Sequence, residues 1–127
     1  MASDKKVAIV TGSARGIGES TAVMLAERNY NVVVNYASSA GEAKETAEAC
    51  ECAGAEVLLV QGDIAADADC RRIVDETMAK WGRLDVLVNN AGTTTYVNHA
   101  DLEGLTPEVW ERTFSVNVFG TFQMVRA

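Results

Sequence analysis

Four short, mainly apolar runs that do not alternate, each separated from the next by a stretch of helical spacing, constrain this chain more than any other feature. They are Lys6-Val7-Ala8-Ile9-Val10-Thr11, Val32-Val33-Val34, Val57-Leu58-Leu59-Val60 within Glu56 to Gln61, and Leu84-Asp85-Val86-Leu87-Val88. A strand with one wet face alternates apolar and polar residues. Runs that do not alternate belong to a parallel sheet covered on both faces.

The intervening stretches supply the cover. Ile17 to Arg28 carries Ile17, Thr21, Met24 and Leu25 at helical spacing, and Ala40 to Ala53 is rich in Ala, Glu and Lys, with Gly54 as its C-terminal cap. Cys70, Ile73, Val74, Thr77, Met78 and Trp81 form the clearest stripe, with Asp67 or Asp69 placed to cap its start and Gly82 to end it. A polar loop spans Thr93 to Leu105. Thr106-Pro107-Glu108 then opens a last helix, with threonine as N-cap, proline at the first position and an acid in the first turn. The order β-α-β-α-β-α-β-loop-α predicts an α/β fold, a Rossmann-type doubly wound parallel sheet in three αβα layers, with strands in the order 3-2-1-4.

At 127 residues the chain is expected to form one domain, residues 1–127, or part of one. The excess of 18 acids over 11 bases, a net charge of −7, argues against nucleic acid and anionic membranes as partners. No apolar run reaches the roughly 18 residues of a spanning helix, and Met1 to Lys6 lacks the apolar core of a signal peptide. Cys50, Cys52 and Cys70 are odd in number and lack scaffold spacing, which suits a reducing cytoplasmic setting with the thiols mostly buried. With a single histidine, His99, and no further ligands near Cys50 and Cys52, no metal site is expected.

Thr11-Gly12-Ser13-Ala14-Arg15-Gly16-Ile17-Gly18 joins the first strand to the first helix. Glycines there allow a sharp turn, close backbone approach to a pyrophosphate, and tight packing of helix on strand, while the helix N-terminus favours an anion. It is not a P-loop, because no Gly-Lys-Ser/Thr follows. The second strand runs into Asn35-Tyr36-Ala37-Ser38-Ser39 and reaches no acid before Glu42. A neutral Asn35 removes the carboxylate that would repel a 2′-phosphate, Ser38 offers a hydroxyl, and Arg15 offers a guanidinium. NADP is therefore the expected cofactor, with NAD as the alternative.

Taken together, Thr11-Gly12-x-x-x-Gly16-x-Gly18, Asp63 after the third strand, Asn89-Asn90-Ala91-Gly92 after the fourth, and Asn117 resemble the short-chain dehydrogenase/reductases. The resemblance runs from about Lys5 to the end, and "VAIVTGSARGIG" and "VLVNNAG" are similar to the 3-oxoacyl-carrier-protein reductase-like branch. It implies that Ser13, Arg15 and Ile17 lie along the phosphates and that Asn35 and Ser38 lie near the 2′-phosphate. Asp63, followed by Ile64, would take the adenine amino group. Asn90, Ala91 and Gly92 would lie beside the ribose and nicotinamide, with Asn90 also tying neighbouring strands. Asn117 matches the family's catalytic asparagine, which holds a water in a proton relay.

The family's remaining machinery is a serine, a tyrosine, and a lysine four positions after the tyrosine. Four positions after Tyr30, Tyr36 and Tyr96 stand Val34, Ala40 and Ala100, so the sequence contains no Tyr-x-x-x-Lys. The reading that follows is a reductase acting on a small carbonyl or alcohol, of which this chain is the cofactor-binding half, cut in or after its fourth helix and not active alone. The alternatives are a non-catalytic nucleotide-binding module and, with the glycines as plain turns, an interaction domain. The last helix carries Trp110, Phe114, Val118, Thr121, Phe122 and Val125 near helical spacing, more apolar surface than a solvated end needs. Part of it is expected in the core and part in a homodimer or homotetramer interface. Tyr96 and His99 in the polar loop could line a substrate pocket, though a surface loop accounts for both.

Overall fold

The computed structural model describes residues 4–127. Met1 to Ser3, which begin the stretch read as lacking a signal peptide, lie outside the described residues. Strands β1 (Val7–Val10), β2 (Asn31–Tyr36), β3 (Val57–Gln61) and β4 (Val86–Val88) form one parallel sheet in the order β3-β2-β1-β4. Helices α1 (Gly16–Glu27), α2 (Ala40–Cys52) and α3 (Asp67–Trp81) connect them. The expected strand order and helical cover are both present.

Double cover follows from the side to which each residue of a strand points. Val7, Ile9 and Val33 join Cys70, Ile73, Trp81, Val116 and Met124 in a core between the sheet and α3 with the last helix. Their neighbours Val10, Val32 and Val34 enter a second core with Ala22 and Ala26 of α1 and Ala43 and Ala47 of α2. Around the central strands β1 and β2 both faces are dry, so both sets of side chains are apolar there, whereas β3 and β4 at the two edges are only partly covered. The small residues on α1 and α2 let those helices lie close to the sheet and to each other. Ile9, fully buried in the strand with neighbours on both sides, contributes about 1.5–3 kcal/mol by burial alone.

The helix ends depart from expectation in two places. Ala66 occupies the N-cap of α3, so Asp67 and Asp69 lie in its first turn, where they complement the helix dipole instead of capping it. The Asp69 carboxylate turns back and accepts the N–H of Asp63 at 2.9 Å. Thr106 does precede α4 (Pro107–Phe114), with Pro107 at the first position, but its side chain makes no cap bond. Among the thiols, Cys50 and Cys70 are buried whereas Cys52 is exposed.

The last helix is not uniform. Between α4 and α5 (Thr121–Arg126), residues Ser115–Gly120 form a π-helical turn with wider hydrogen-bond spacing. Asn117 sits inside it, and the turn's far end packs against the loop after β3. A Cβ on Gly120 would stand 2.7 Å from Ile64 Cγ1, and Gln123 Nε2 donates to the Ile64 carbonyl at 2.8 Å.

Candidate cofactor site

The glycine turn, the end of β4 and the start of α1 are held together by backbone-directed bonds. Thr11 Oγ1 accepts the N–H groups of Asn90 and Ala91 at 3.1 and 3.0 Å. Asn90 Nδ2 donates in return to the carbonyls of Thr11 and Gly12, at 3.1 and 3.0 Å. The strand-tying part of the Asn90 expectation is therefore present. Gly12 has φ +60°, and a Cβ there would lie 2.8 Å from Ala91 Cα. Gly18 is tighter still: its Cβ would meet the Gly12 carbonyl oxygen at 2.4 Å and Asn90 Nδ2 at 2.5 Å. Only hydrogen fits at either place.

This turn borders a cavity of about 390 Å³ along the carboxyl ends of the strands. Gly12, Arg15, Asn35 and Ser38 line one side of it. Asp63 and Ile64, at the end of β3, and Asn90, Ala91 and Gly92, at the end of β4, line the rest. The N-termini of α1 and α2 both border it without a side-chain cap, so their first N–H groups are left without a side-chain acceptor. An anion suits such a place.

Two of the expected residues, Ser13 and Asn35, have their polar groups committed within the fold. Ser13 is fully buried and lies outside the lining: its hydroxyl donates to the Val10 carbonyl at 2.7 Å and accepts the Asn35 N–H at 3.0 Å. Its own N–H donates to the Asn35 carbonyl at 2.9 Å, which leaves nothing for a phosphate. Asn35 reaches the lining, but its side chain is committed. Oδ1 accepts the Gly12 N–H at 3.1 Å, and Nδ2 donates to the carbonyls of Val60 and Gly62, both at 3.3 Å. Arg15 is exposed and lies 3.6 Å from Glu42. Ile17, 80% exposed at the start of α1, packs on nothing in the core. Gly16 begins that helix, and a Cβ there would meet open space.

Asp63 is the one carboxylate among the described lining residues. Its Oδ1 accepts the Ala65 N–H at 3.0 Å and its Oδ2 accepts Arg112 Nη1 at 2.9 Å. Burial alone would raise this carboxyl, but the Ala65 N–H and the Arg112 guanidinium offset that and hold it below the ordinary value. Asn117 does not line the cavity; it braces Thr93, which does. Its Oδ1 accepts the Thr93 N–H at 2.8 Å and its Nδ2 donates to the Thr93 carbonyl at 2.9 Å, with Gly92 alongside. The buried thiols of Cys50 and Cys70 are each pushed up to about 11, chiefly by burial, which keeps them protonated at neutral pH. Tyr96 and His99 are exposed in the loop after β4 and do not line the cavity.

Sequence reasoning did not single out Tyr36, Ala37, Arg112 or Val116 as lining residues, whereas Thr93 begins the loop expected to form a wall of the pocket. Tyr36 and Ala37 could have been found, because they directly follow Asn35 at the end of β2. Arg112 stands 49 residues from its partner, and no local pattern marks it.

A parallel Rossmann-type sheet with a glycine-turn cavity at the strand ends defines a dinucleotide-binding class of protein. Within that class, the profile described as short chain dehydrogenase matches residues 6–127, and the chain belongs to this family. It is 48% identical over 122 residues to a protein of Streptomyces violaceoruber assigned as ketoacyl reductase 2 of the granaticin polyketide synthase, covering 96% of this chain and 47% of that protein. It is 38% identical over 123 residues to versicolorin reductase 1 of Aspergillus parasiticus, covering 97% of this chain and 46% of the other. A crystal structure from Burkholderia xenovorans, assigned as a short-chain dehydrogenase/reductase, superposes with a TM-score of 0.94 at 36% identity, over 98% of this chain and 51% of that one. The chain thus spans about half the length of the curated relatives it matches. Among the described residues no helix is long and apolar enough to cross a membrane.

Proposed function

We propose that residues 1–127 form the dinucleotide-binding part of an oxidoreductase that moves a hydride between NADP(H) and a small carbonyl or alcohol substrate. The observation that carries the reading is the continuity of one cavity from Gly92, past the glycine turn, to Ser38 in one direction and Asp63 in the other. A dinucleotide needs that sequence of environments: a face for the nicotinamide, an N–H-rich turn for the pyrophosphate, and an acceptor for the adenine.

The end of β2 supports NADP over NAD. No acid lines the cavity there, and the uncapped start of α2 lies beside Ser38 with Arg15 across from it. A 2′-phosphate at that point would gain the helix dipole and displace the weak Arg15–Glu42 contact, both ends of which are more than half exposed. The bound cofactor supplies the hydride. The chain's own residues hold it: Asn90 and Thr11 fix the turn against β4, and Asn117 fixes Thr93 beside Gly92. With its amide paired to Thr93, Asn117 would serve a proton relay by positioning that backbone. The relatives named as reductases support a small-molecule substrate, and the odd cysteine count supports a cytoplasmic setting. The apolar face of the last helix supports a homodimer or homotetramer.

Titration of the chain with NADPH and NADH, followed by nicotinamide fluorescence, tests the reading. NADPH should bind about tenfold or more tightly, the scale of one charge-assisted contact. Tighter binding of NADH would overturn the assignment of Arg15 and Ser38.

A further inference from the structure

Arg112 reaches from α4 to the loop after β3 and lines the same cavity as the carboxylate it holds. Its side chain is 51% exposed and that of Asp63 is 38% exposed. A pair so open to solvent adds little to folding, about 0–1 kcal/mol. What it does fix is direction. The Ala65 N–H holds one carboxylate oxygen and Arg112 the other, and the Asp63 N–H is itself held by Asp69. Each carboxylate oxygen has two acceptor sites, so each keeps one free toward the cavity after these bonds are made. The acceptor is thereby aimed before any ligand arrives, which lowers the cost of ordering it on binding.

We propose that Arg112 is a positioning residue that gives this cavity its preference for an adenine base, by holding the Asp63 carboxylate toward the base's exocyclic amino group. The proposal rests on the reading of the cavity as a dinucleotide site. A base with an oxygen at the same position would turn an acceptor toward the carboxylate and be rejected. A site built to receive a donor discriminates strongly against an analogue that lacks it.

The test uses the whole chain with NADPH and its hypoxanthine counterpart, which carries a 6-oxo group and an N1–H where adenine carries a 6-amino group and an unprotonated N1. The unsubstituted chain should favour the adenine form by about tenfold. Arg112→Met should weaken NADPH binding and reduce that ratio to about twofold, and Arg112→Lys should restore most of it. In an Asp63→Asn background, Arg112→Met should change the ratio no further, because its effect passes through the carboxylate. Since the pair is exposed, Arg112→Met should unfold at the temperature of the unsubstituted chain. Arg112→Gln serves as the second variant should the first fail to fold. A ratio unmoved by either substitution, or tighter NADPH binding once Arg112 is gone, overturns the inference while leaving the cofactor reading intact. If the unsubstituted chain binds neither dinucleotide, the cofactor reading falls and the inference falls with it.

Discussion

Asn35 Oδ1 accepts the N–H of Gly12 at 3.1 Å, so the residue that ends the apolar run of β2 also fixes the first glycine of the turn. Its Nδ2 is spent on the carbonyls of Val60 and Gly62, and the residue is 2% exposed. Asn35→Asp would turn a carboxylate toward two carbonyl oxygens and bury its charge. A loss of about 2–4 kcal/mol is expected, read as a lower urea midpoint with an unchanged slope. A substitution made to switch the chain from NADP to NAD at this position would first damage the fold.

Gly18 and Gly41 make a matched pair of tests. A Cβ at Gly18 would overlap the Gly12 carbonyl oxygen and the Asn90 amide, both rigidly held, so Gly18→Ala should cost about 1–3 kcal/mol and abolish dinucleotide binding. Gly41, in the first turn of α2, has nothing within 4 Å of its would-be Cβ. Gly41→Ala should stabilise by a few tenths to about 1 kcal/mol by helix propensity. Thermal unfolding separates the two signs.

The sheet was legible because its causes are local and repeated. Short apolar runs that do not alternate call for helices on both faces, and glycine and asparagine turns after β1 and β4 mark the strand ends where a ligand would lie. The bonding inside the site was not legible. Whether the Asn35 amide faces a phosphate or the carbonyls of Val60 and Gly62 depends on the register of β2 against β3, which the composition of neither strand reveals. Arg112 meets Asp63 only because the last helix crosses the loop after β3. The π-helical turn in Ser115–Gly120 arises where Gly120 packs against Ile64, a contact 56 residues apart in the chain that leaves no mark in local spacing.

Asn117 and Thr93 exchange two hydrogen bonds, and through them the π-helical turn holds the start of the loop after β4. Asn117→Ala removes both. The pair is exposed, so global stability should fall by no more than about 1 kcal/mol. The loop from Thr93 to Leu105 should nevertheless open more often, seen as faster amide exchange there and earlier cleavage by a protease. Asn117→Asp, which keeps the acceptor for the Thr93 N–H and loses the donor to its carbonyl, should fall between the two.

Acid should unfold this chain through three carboxyls held below their ordinary value. Asp85 is held by Arg83 and the Val7 N–H, Asp67 by Arg126 and Arg71, and Asp63, against the opposing effect of burial, by the Ala65 N–H and Arg112. Each has a folded pKa below its unfolded one. Its contribution is fully present above the unfolded value, near 4, and is lost as pH falls through the folded value. Stability should therefore be flat with respect to these groups above about pH 5 and drop below about pH 4. Asp85 ties the start of β1 through the Val7 N–H at 2.8 Å. Asp85→Asn should lower stability at neutral pH and flatten the acid limb, which urea midpoints measured from pH 2 to 7 would record.

Trp110, Phe114, Phe119 and Phe122 are each about half exposed on the last helix, and Val118 and Val125 lie on the same stretch. Trp110 stacks on Phe114 with ring centroids 6.2 Å apart, and together with Phe119 they border a second hollow of about 320 Å³. Apolar side chains this close together on one helix are a surface that water disfavours, and burying a single phenylalanine is worth about 1.5–3 kcal/mol. The chain should therefore associate with itself at micromolar concentration, as sedimentation velocity would show. Phe119→Glu should shift it toward monomer, and the two chains should unfold at the same temperature once diluted until both are monomeric, because the side chain it replaces lies outside both cores. Trp110 fluorescence should move to longer wavelength on dilution of the unsubstituted chain and be concentration-independent in the variant. A chain already monomeric at the same concentrations would remove the reason for assigning this face to a subunit interface.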